Sequence, residues 1–357
     1  MKDFVQSVLR PLLSYRYHHY SVKEARGILK SIEATKGPLP RQIVKYCDEY
    51  SRDVFGHRHF AAWLYVYSAV ARQFKEGWIP DNYYGSTVVP QLKGDYAAVA
   101  RLKSLNSTIF SHNSFPDILS YDNGLFFDTE CKVLSPDSIK EKLFADQDRV
   151  VFKLNNSAQG KGIFFFNRES FDPGRIFQLG NGLFQRFINQ HEVFQEFVRE
   201  SAATLRMTTV SEDDGTTSLR ACYLRLSSCI DTHVRSESSI QIPIDVKNGA
   251  FHSVGFTADW LEIDRHPVNM VKFEGKCIPA YDACVKLVTM LHRKVPAARC
   301  IGWDLAIDDK GDVKILEWNA GNNGINFSEA TQGPCFSDLH WERLTKTAGG
   351  PYLRTVW

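Results

Sequence analysis

Two carboxylates and an asparagine near the end of the chain have the spacing of a metal site. Residues Cys300 to Asn319 form two apolar stretches around an Asp/Lys/Gly cluster, a pattern typical of a β-hairpin. A loop of two or four residues would place the two halves in one register, whereas a three-residue loop would break it. The pairs predicted by that register are Trp303 with Trp318, Asp304 with Glu317, and Leu305 with Leu316.

In this register Asp304 and Glu317 share one face, and like charges directly opposite each other destabilise a sheet. We therefore expect a positive group between them. Asn319 points to the same face as Glu317, so the hairpin offers three oxygen ligands of the kind that hold Mg²⁺ beside a substrate phosphate. The alternative is a solvated hairpin with ordinary surface acids. Buried carboxylates would need a cation, and the flanking Trp, Leu and Ile indicate burial.

The composition excludes several other classes of function. The chain has 357 residues, enough for two or three subdomains, and its 43 Lys and Arg nearly balance 41 Asp and Glu. No Lys/Arg block stands out, so we expect neither a nucleic-acid partner nor a membrane surface.

The eight cysteines are scattered and include no Cys-x-x-Cys pair, which argues against a disulfide scaffold and against a zinc site. The first residues lack the apolar core of a signal peptide, and the longest apolar stretch, 60–71, is too short to span a bilayer. The sequence predicts a soluble, cytoplasmic protein with reduced thiols.

The patterns predict a helical region over residues 1–75, followed by a turn-rich region over 77–148 that contains a short helix at 135–145. A hairpin turn is predicted at 213–215. Further elements are predicted as strands at 150–154, 163–166, 184–188, 203–210 and 219–226, and a helix from 189 to about 200.

A polar glycine loop over 155–162 connects two of these strands and suits a phosphate group. Glycines Gly160 and Gly162 allow close backbone approach, and backbone N–H groups in such a loop can bind phosphate oxygens. Lys153 lies in the preceding strand, and Lys161 adds a second cation within the loop. The loop is not a P-loop, because no Gly-x-x-x-x-Gly-Lys-Ser/Thr opens a helix. The alternative is an ordinary turn with a surface lysine.

Two arginines favour the phosphate interpretation. Arg206 and Arg225 each lie inside a half-buried strand, where arginines commonly face a cleft and bind anionic groups bidentately. The alternative is a pair of rim arginines on edge strands. Together with the glycine loop and the acidic hairpin, these arginines are typical of a site for a triphosphate with Mg²⁺.

This order of motifs resembles the ATP-grasp superfamily. More narrowly, residues 95–335 resemble the sugar-transfer-associated ATP-grasp family through the Thr-Leu-Arg strand at 204–206, His266-Pro267, Ile278-Pro279, and Gly302-Trp303-Asp304 with Glu317-Trp318-Asn319. The resemblance implies an α+β fold in which two subdomains grip ATP, here with a helical N-terminal region. The implied divisions are an N-terminal region (1–95), a pre-ATP-grasp region (96–148), a lid (149–188), a core (189–340) and a C-terminal tail (341–357).

The resemblance also implies roles for individual residues. Lys153 and Lys161 would contact the phosphates of ATP, Gly160 and Gly162 would let the lid close, and Arg206 would bind the transferring phosphate. Mg²⁺ would be held by Asp304, Glu317 and Asn319. The hinge over 184–188 would read adenine through its backbone, and its residues are Gln185, where many members have Glu, Phe187 and Ile188.

The acceptor side departs from the family pattern. Related sequences tend to have Val-Asp-Asn followed by glycines where this chain has Ile230-Asp231-Thr232-His233, so Asp231 matches and His233 does not. His233 and His191 could act as acid/base groups, although a lone histidine is more often structural.

The leading functional hypothesis is an ATP-dependent ligase that activates a carboxylate as an acylphosphate and joins it to an amine. Lys153, Arg206 and Arg225 would position groups and neutralise charge. The substrates would be small molecules, possibly sugar- or peptide-linked. One alternative is a kinase that phosphorylates a hydroxyl, with Asp231 or His233 as base, and another is a nucleotide-binding regulator without turnover. The family name suggests a role in surface-polysaccharide or glycoconjugate assembly, by analogy only.

Overall fold

The computed structural model describes residues 2–155, 162–198, 203–228 and 239–344, with side chains from residue 11 onward. As predicted, its architecture is α+β, with two antiparallel sheets and helices. The helices are α1 (Lys2–Lys36), α2 (Arg41–Phe55), α3 (Ala61–Ala71), α4 (Asp81–Tyr83), α5 (Val89–Leu92), α6 (Asn106–Phe110), α7 (Pro136–Leu143), α8 (Pro173–Leu179), α9 (Glu192–Gln195), α10 (Tyr281–His292) and α11 (Asn326–Thr331).

The strands follow from Asp117 onward. They are β1 (Asp117–Asp122), β2 (Leu125–Asp128), β3 (Arg149–Leu154), β4 (Ile163–Asn167), β5 (Gly182–Arg186), β6 (Thr204–Ser211), β7 (Thr217–Ser227), β8 (Ser239–Pro243), β9 (Gly255–Phe256), β10 (Glu262–Ile263), β11 (Cys300–Ile307) and β12 (Val313–Asn319).

The N-terminal region is helical, as predicted, and α1, α2 and α3 share one buried core. Helix α2 ends at Gly56, whose φ of 79° is the left-handed conformation that commonly terminates helices. After α3 the chain continues through α4, a π-helical turn (Tyr84–Val88) and α5. Within the described residues, no helix is both long and apolar enough to cross a lipid bilayer.

The smaller sheet has the strand order β2-β1-β5-β3-β4. Strands β3, β4 and β5 lie close to their predicted positions, but β1 and β2 also belong to this sheet. These two strands form a hairpin that turns at Asn123 and Gly124, with φ values of 52° and 89°. Asn-Gly favours this conformation, so the hairpin was readable within the turn-rich region. The predicted lid begins at residue 149, whereas the smaller sheet already begins at Asp117. The lid boundary therefore stays a prediction.

The larger sheet has the order β10-β9-β8-β7-β6-β11-β12. One face packs with α10 in a core that contains Met207, Leu224 and Trp303. On the opposite face, Tyr223 and Phe256 pack with residues of α1–α3 and α11. The helical region therefore covers part of this face and leaves the part formed by β6, β11 and β12 to the site described below.

The β11–β12 hairpin confirms two of the three predicted pairs, Trp303 with Trp318 and Asp304 with Glu317. The pair Leu305 with Leu316 is wrong, because Leu305 faces Ile315 and the register shifts by one residue between Asp304 and Leu305. Leu316 is thus the extra residue of a β-bulge. The strands end at Ile307 and Val313, so the loop between them has neither two nor four residues. The extra residue of the bulge compensates for this loop length, and the predicted register therefore holds at Asp304.

The predicted helix over 189–200 is shorter than expected, since its described part is α9 (Glu192–Gln195) and residues 199–202 lie outside the described residues. His191 precedes α9, and its Nδ1 accepts a hydrogen bond from the backbone N–H of Val193 at 3.3 Å. His191 therefore caps a helix, the structural alternative to an acid/base role.

A substitution at Gly182 tests the packing of the smaller sheet. A Cβ atom at this position would lie 2.5 Å from the backbone oxygen of Lys153 and 2.6 Å from the Phe152 ring. We expect Gly182→Ala to lower the free energy of unfolding in urea by about 1–3 kcal/mol, because the backbone must shift. The control is Gly27→Ala in α1, where nothing lies within 4 Å and where alanine should be neutral or stabilising. Equal stability of the two variants would contradict this packing.

Candidate functional site

The two sheets meet where the bulge of β12 faces β3 and β5. The Leu316 carbonyl accepts hydrogen bonds from Nζ of Lys153 at 3.3 Å and from Nε2 of Gln185 at 3.4 Å. A bulge reorients the backbone locally, and here the carbonyl of the bulged residue forms hydrogen bonds with the smaller sheet. Predicted site residues from both sheets therefore lie together, as the sequence implied only through resemblance.

Asp304 is the centre of a buried ion-pair cluster. Its Oδ1 accepts from Nε of Arg206 and Nη2 of Arg225, both at 2.5 Å, and its Oδ2 accepts from Nη2 of Arg206 at 2.9 Å. The side chains of Arg206 and Asp304 are only 10% and 9% exposed. Burial raises the pKa of Asp304, but the two guanidinium groups outweigh burial and lower it to about 2.

The geometry of this cluster explains the glycine of the Gly-Trp-Asp motif. Nη1 of Arg206 donates to the backbone oxygen of Asn323 at 2.9 Å. A Cβ atom on Gly302 would lie 3.0 Å from Cβ of Asn323 and 3.2 Å from Nη1 of Arg206. Any larger residue would therefore press on the guanidinium that holds Asp304.

The motif tryptophans lie on the opposite face and anchor the hairpin. Nε1 of Trp303 donates to Oγ1 of Thr209 at 2.8 Å, and Nε1 of Trp318 donates to Oδ1 of Asn106 at 3.0 Å. The two indole rings stack with centroids 6.3 Å apart. Because side chains alternate along a strand, burying the tryptophans turns Asp304 and Glu317 toward the cleft.

Glu317 has a lysine partner that the sequence did not reveal. Nζ of Lys103 lies 3.5 Å from Oε1 of Glu317 and donates to the backbone oxygen of Leu154 at 3.1 Å. Lys103 lies in the turn-rich region over 77–148, where no residue pattern indicated a role for it. Only the tertiary structure places it beside Glu317. The positive charge expected between the two acids is thus supplied by the chain itself, through the arginines on Asp304 and Lys103 beside Glu317.

The three predicted metal ligands match Mg²⁺ in chemistry, since all offer oxygen atoms on one face. Nδ2 of Asn319 lies 3.4 Å from Oδ2 of Asp304, and the Glu317 side chain is 34% exposed. Glu317 and Asn319 offer the more open oxygens, whereas the oxygens of Asp304 accept hydrogen bonds from arginine. Among the described residues, no group of three His, Cys, Asp or Glu side chains could hold a metal ion. A Mg²⁺ ion held by these residues would complete its coordination with water or phosphate oxygens.

Gln185 is fixed by a second residue that the sequence did not reveal, Asp117. Nε2 of Gln185 donates to Oδ1 of Asp117 at 2.7 Å, and Nδ2 of Asn106 donates to Oδ2 at 3.2 Å. Burial raises the pKa of Asp117 to about 6. Because an ionised carboxylate only accepts hydrogen bonds, this contact orients the amide of Gln185 and leaves its Oε1 as an acceptor.

Burial affects two cations of the site, Lys153 and Arg225. Burial lowers the pKa of Lys153 to about 8, although Glu317 partly opposes this effect. Nε of Arg225 is buried and has no hydrogen-bond partner within the described part of the chain. A buried donor without a partner is costly, so Arg225 favours an anionic ligand, and a negative charge beside Lys153 would oppose the effect of burial on its pKa.

The remaining predicted residues fall at the hinge or outside the described residues. The Phe187 backbone N–H donates to Oε1 of Gln147 at 3.2 Å, and its ring stacks on the Arg149 guanidinium at 4.5 Å. Ile188 follows it, and Gly162, with φ of 89°, precedes β4. The residues outside the described ranges are Gly160, Lys161, Asp231 and His233.

Asp304→Asn tests the buried cluster through stability alone. We expect a loss of about 3–5 kcal/mol in the free energy of unfolding at pH 7, because two buried guanidinium groups lose their counter-charge. Since Asp304 has a pKa of about 2 when folded against 3.8 ordinarily, its stabilisation is present above pH 3.8 and is lost as the pH falls through 2. The variant should lack this acid-dependent component.

The matched control is Asp338→Asn. Asp338 pairs with Arg220 but its side chain is 60% exposed, so we expect a loss of about 0–1 kcal/mol. Similar losses at the two positions, measured by urea unfolding, would show that the Asp304 cluster is not a buried charge centre.

Comparisons with known proteins agree with the sequence motifs. Residues 178–340 match the family described as sugar-transfer associated ATP-grasp. A comparison with curated protein sequences gives no match.

Among solved structures, the chain is similar to the biotin carboxylase domain of Hydrogenobacter thermophilus 2-oxoglutarate carboxylase, a complex with ADP and magnesium. The identity is 11% and the TM-score 0.41, over 71% of this chain and 46% of that one. It is also similar to the ATP-grasp ligase PsnB bound to a minimal precursor, at 12% identity and a TM-score of 0.42, over 83% and 74% of the two chains. A third is Thermotoga maritima N5-carboxyaminoimidazole ribonucleotide synthetase, at 12% and 0.38, over 72% and 54%.

The chain thus spans about half the length of two of these proteins. At such identities and TM-scores, their substrates and activities do not carry over to this chain. The predicted resemblance to the sugar-transfer-associated ATP-grasp family is confirmed over residues 178–340.

Proposed function

We propose that this protein is an ATP- and Mg²⁺-dependent ligase that joins a carboxylate to an amine through an acylphosphate. The observation that carries the proposal is a cleft face rich in cations, whose acids are already engaged in ion pairs or hydrogen bonds. Its cations are Lys103, Lys153, Arg206 and Arg225, and its acids are Asp117, Asp304 and Glu317.

The charge of this face supports a polyphosphate ligand. Among these described residues four cations oppose three acids, and a cleft that is richer in one sign of charge attracts the opposite one. Glu317 and Asn319, with Asp304, would hold Mg²⁺. Bound there, Mg²⁺ would neutralise phosphate charge. Lys161, predicted to reach the phosphates from the lid, would add a further cation.

The chain's own residues would act by positioning and charge neutralisation. Lys153 would contact phosphate oxygens, and Arg225, with its unpartnered Nε, would hold a phosphoryl or carboxylate oxygen. Arg206 would act through Asp304, because most of its donors are already used. Gln185 would accept a hydrogen bond from the nucleotide, and the backbone at Phe187 and Ile188 would border the adenine.

In the proposed reaction, a carboxylate oxygen of the acid attacks the γ-phosphorus of ATP, and ADP leaves. The amine nitrogen then attacks the acyl carbon and loses a proton to solvent, and phosphate leaves with the electron pair of the broken C–O bond. Neither step needs a nucleophile from the protein.

The alternative is a kinase on the same scaffold. A kinase needs a base for the acceptor hydroxyl, and Asp304, with a pKa of about 2, is a poor base. Asp231 and His233, the bases of the kinase alternative, lie outside the described residues.

The same proposal includes a cytoplasmic location, small-molecule acid and amine substrates, and subdomain boundaries at 95, 148, 188 and 340. A role in glycoconjugate assembly rests on analogy alone.

The decisive experiment incubates the protein with Mg-ATP, pooled amino acids and sugars, and hydroxylamine. A ligase should release ADP and free phosphate in equal amounts and form a hydroxamate, because hydroxylamine intercepts an acylphosphate. ADP without free phosphate would indicate a kinase. No ADP at all would favour a nucleotide-binding module.

Glu317→Gln should remove most Mg²⁺-dependent turnover and leave the fold intact. The expected loss is about 10²-fold or more, because a ligand that stabilises phosphate charge is removed. The control is Glu262→Gln, which alters a glutamate of the same sheet that pairs with Lys36 far from the cleft. An active Glu317→Gln protein with wild-type circular dichroism would count against the assignment.

Lys153 predicts a pH dependence of nucleotide binding. Because its pKa is lowered to about 8, the affinity for ATP should fall as the pH rises through 8 and the ammonium loses its charge. Arginine stays protonated over this range, so in Lys153→Arg the fall should move to higher pH. Titration calorimetry with a non-hydrolysable ATP analogue measures both profiles. An unchanged profile in the variant would assign the fall to another group.

A further inference from the structure

A buried lysine lies behind the metal-binding hairpin and outside the residues that match the family. Lys93 is 2% exposed, and its Nζ donates to the Tyr84 hydroxyl at 2.7 Å, to the backbone oxygen of Gly321 at 2.6 Å and to Oδ1 of Asn323 at 2.8 Å. Within the described residues, no carboxylate forms an ion pair with it. A buried ammonium without a counter-ion is expensive, so the contacts that it does make deserve a functional explanation.

Those contacts converge on one loop. Gly321 and Asn323 follow the strand that ends with Glu317, Trp318 and Asn319. Lys93 and Tyr84 together use Oδ1 of Asn323, since the Tyr84 hydroxyl also donates to it at 2.5 Å. The loop is therefore held from the side of α5 by a cation and a phenol.

The same loop holds Arg206 on its other side. The backbone oxygen of Asn323 accepts a hydrogen bond from Nη1 of Arg206. Nε and Nη2 of the same guanidinium group donate to the carboxylate of Asp304. Asn323 also lies close to Gly302, where an added Cβ atom would come within 3.0 Å of Cβ of Asn323. A continuous chain of contacts thus runs from Lys93 through Asn323 and Arg206 to Asp304.

We propose that Lys93 is a positioning residue for the Mg²⁺ end of the site, acting through Asn323 and Arg206 on Asp304. The inference rests on the proposed function. The described contacts of Lys93 are with Tyr84, Gly321 and Asn323 and not with Asp304, Glu317 or Asn319, so its proposed role is indirect. Its role is to fix the loop 320–324, and with it the direction of the guanidinium that orients Asp304.

The test measures binding of the non-hydrolysable analogue AMP-PNP by calorimetry, with and without Mg²⁺. In Lys93→Met, which keeps the length of the side chain and removes its donors, the gain in affinity from Mg²⁺ should shrink about tenfold, the size expected for one charge-assisted hydrogen bond. Metal-free affinity should stay within about twofold, a change too small to reflect a lost hydrogen bond. Hydrogen exchange of the loop 320–324 should rise in the metal-free variant.

Two controls separate positioning from general stability. Lys75→Met also removes a lysine that donates to a loop carbonyl, that of Gly333 at 2.9 Å, and should leave the Mg²⁺ gain unchanged. Asn323→Ala should reproduce the defect, and Lys93→Met/Asn323→Ala should be no worse than either single variant, because both act on one contact chain.

Each outcome is informative. Additive losses in the double variant, equal losses with and without Mg²⁺, or an equal loss in Lys75→Met would overturn the positioning role. The positioning role would also be overturned if Mg²⁺ raised the affinity for AMP-PNP equally in the wild type and in Lys93→Met. If the wild type itself binds AMP-PNP without any effect of Mg²⁺, the proposed function fails first.

Discussion

The carboxylate of Asp304, buried between the guanidinium groups of Arg206 and Arg225, is the interaction on which the site depends. A buried charge is tolerated only with close partners of opposite sign, and here the partners come from neighbouring strands of one sheet. The pairing of β11 with β6 places Arg206 directly opposite Asp304. Strand register and charge compensation therefore support each other, because slipping the register by one residue would separate the charges.

The surroundings of this pair are built to keep it in place. Trp303 and Trp318 pack on the opposite face and make their own hydrogen bonds, so the strands cannot turn over without exposing two buried indoles. Gly302 leaves space for Asn323 to approach the arginine. The buried Lys93 holds the same loop from behind. Core packing on one face thus sets the position of charge on the other.

A backbone irregularity lies where the two sheets meet. The bulge at Leu316 accompanies a carbonyl that accepts from Lys153 and Gln185 of the smaller sheet. Under the proposed function, a bound nucleotide would replace these two contacts with contacts to its phosphates and base.

The sequence by itself determined the local pattern. Residue patterns predicted the strands β3–β7 and the β11–β12 hairpin but not β1, β2 or β8–β10, and the spacing of Trp303, Asp304, Glu317 and Trp318 predicted which residues face the cleft. These are short-range properties that follow from the two-residue period of a strand. The Asn-Gly turn of the β1–β2 hairpin was readable in the same way, although the surrounding region was interpreted only as turn-rich.

Only the tertiary structure decided the partners. Lys103, Asp117 and Lys93 lie in segments without a clear pattern, and each reaches its partners across a long stretch of chain. The bulge could not be predicted either, since one extra residue in a strand leaves the hydrophobic alternation on each side intact. Sequence periodicity specifies which face a residue occupies, whereas long-range packing decides which charges meet there.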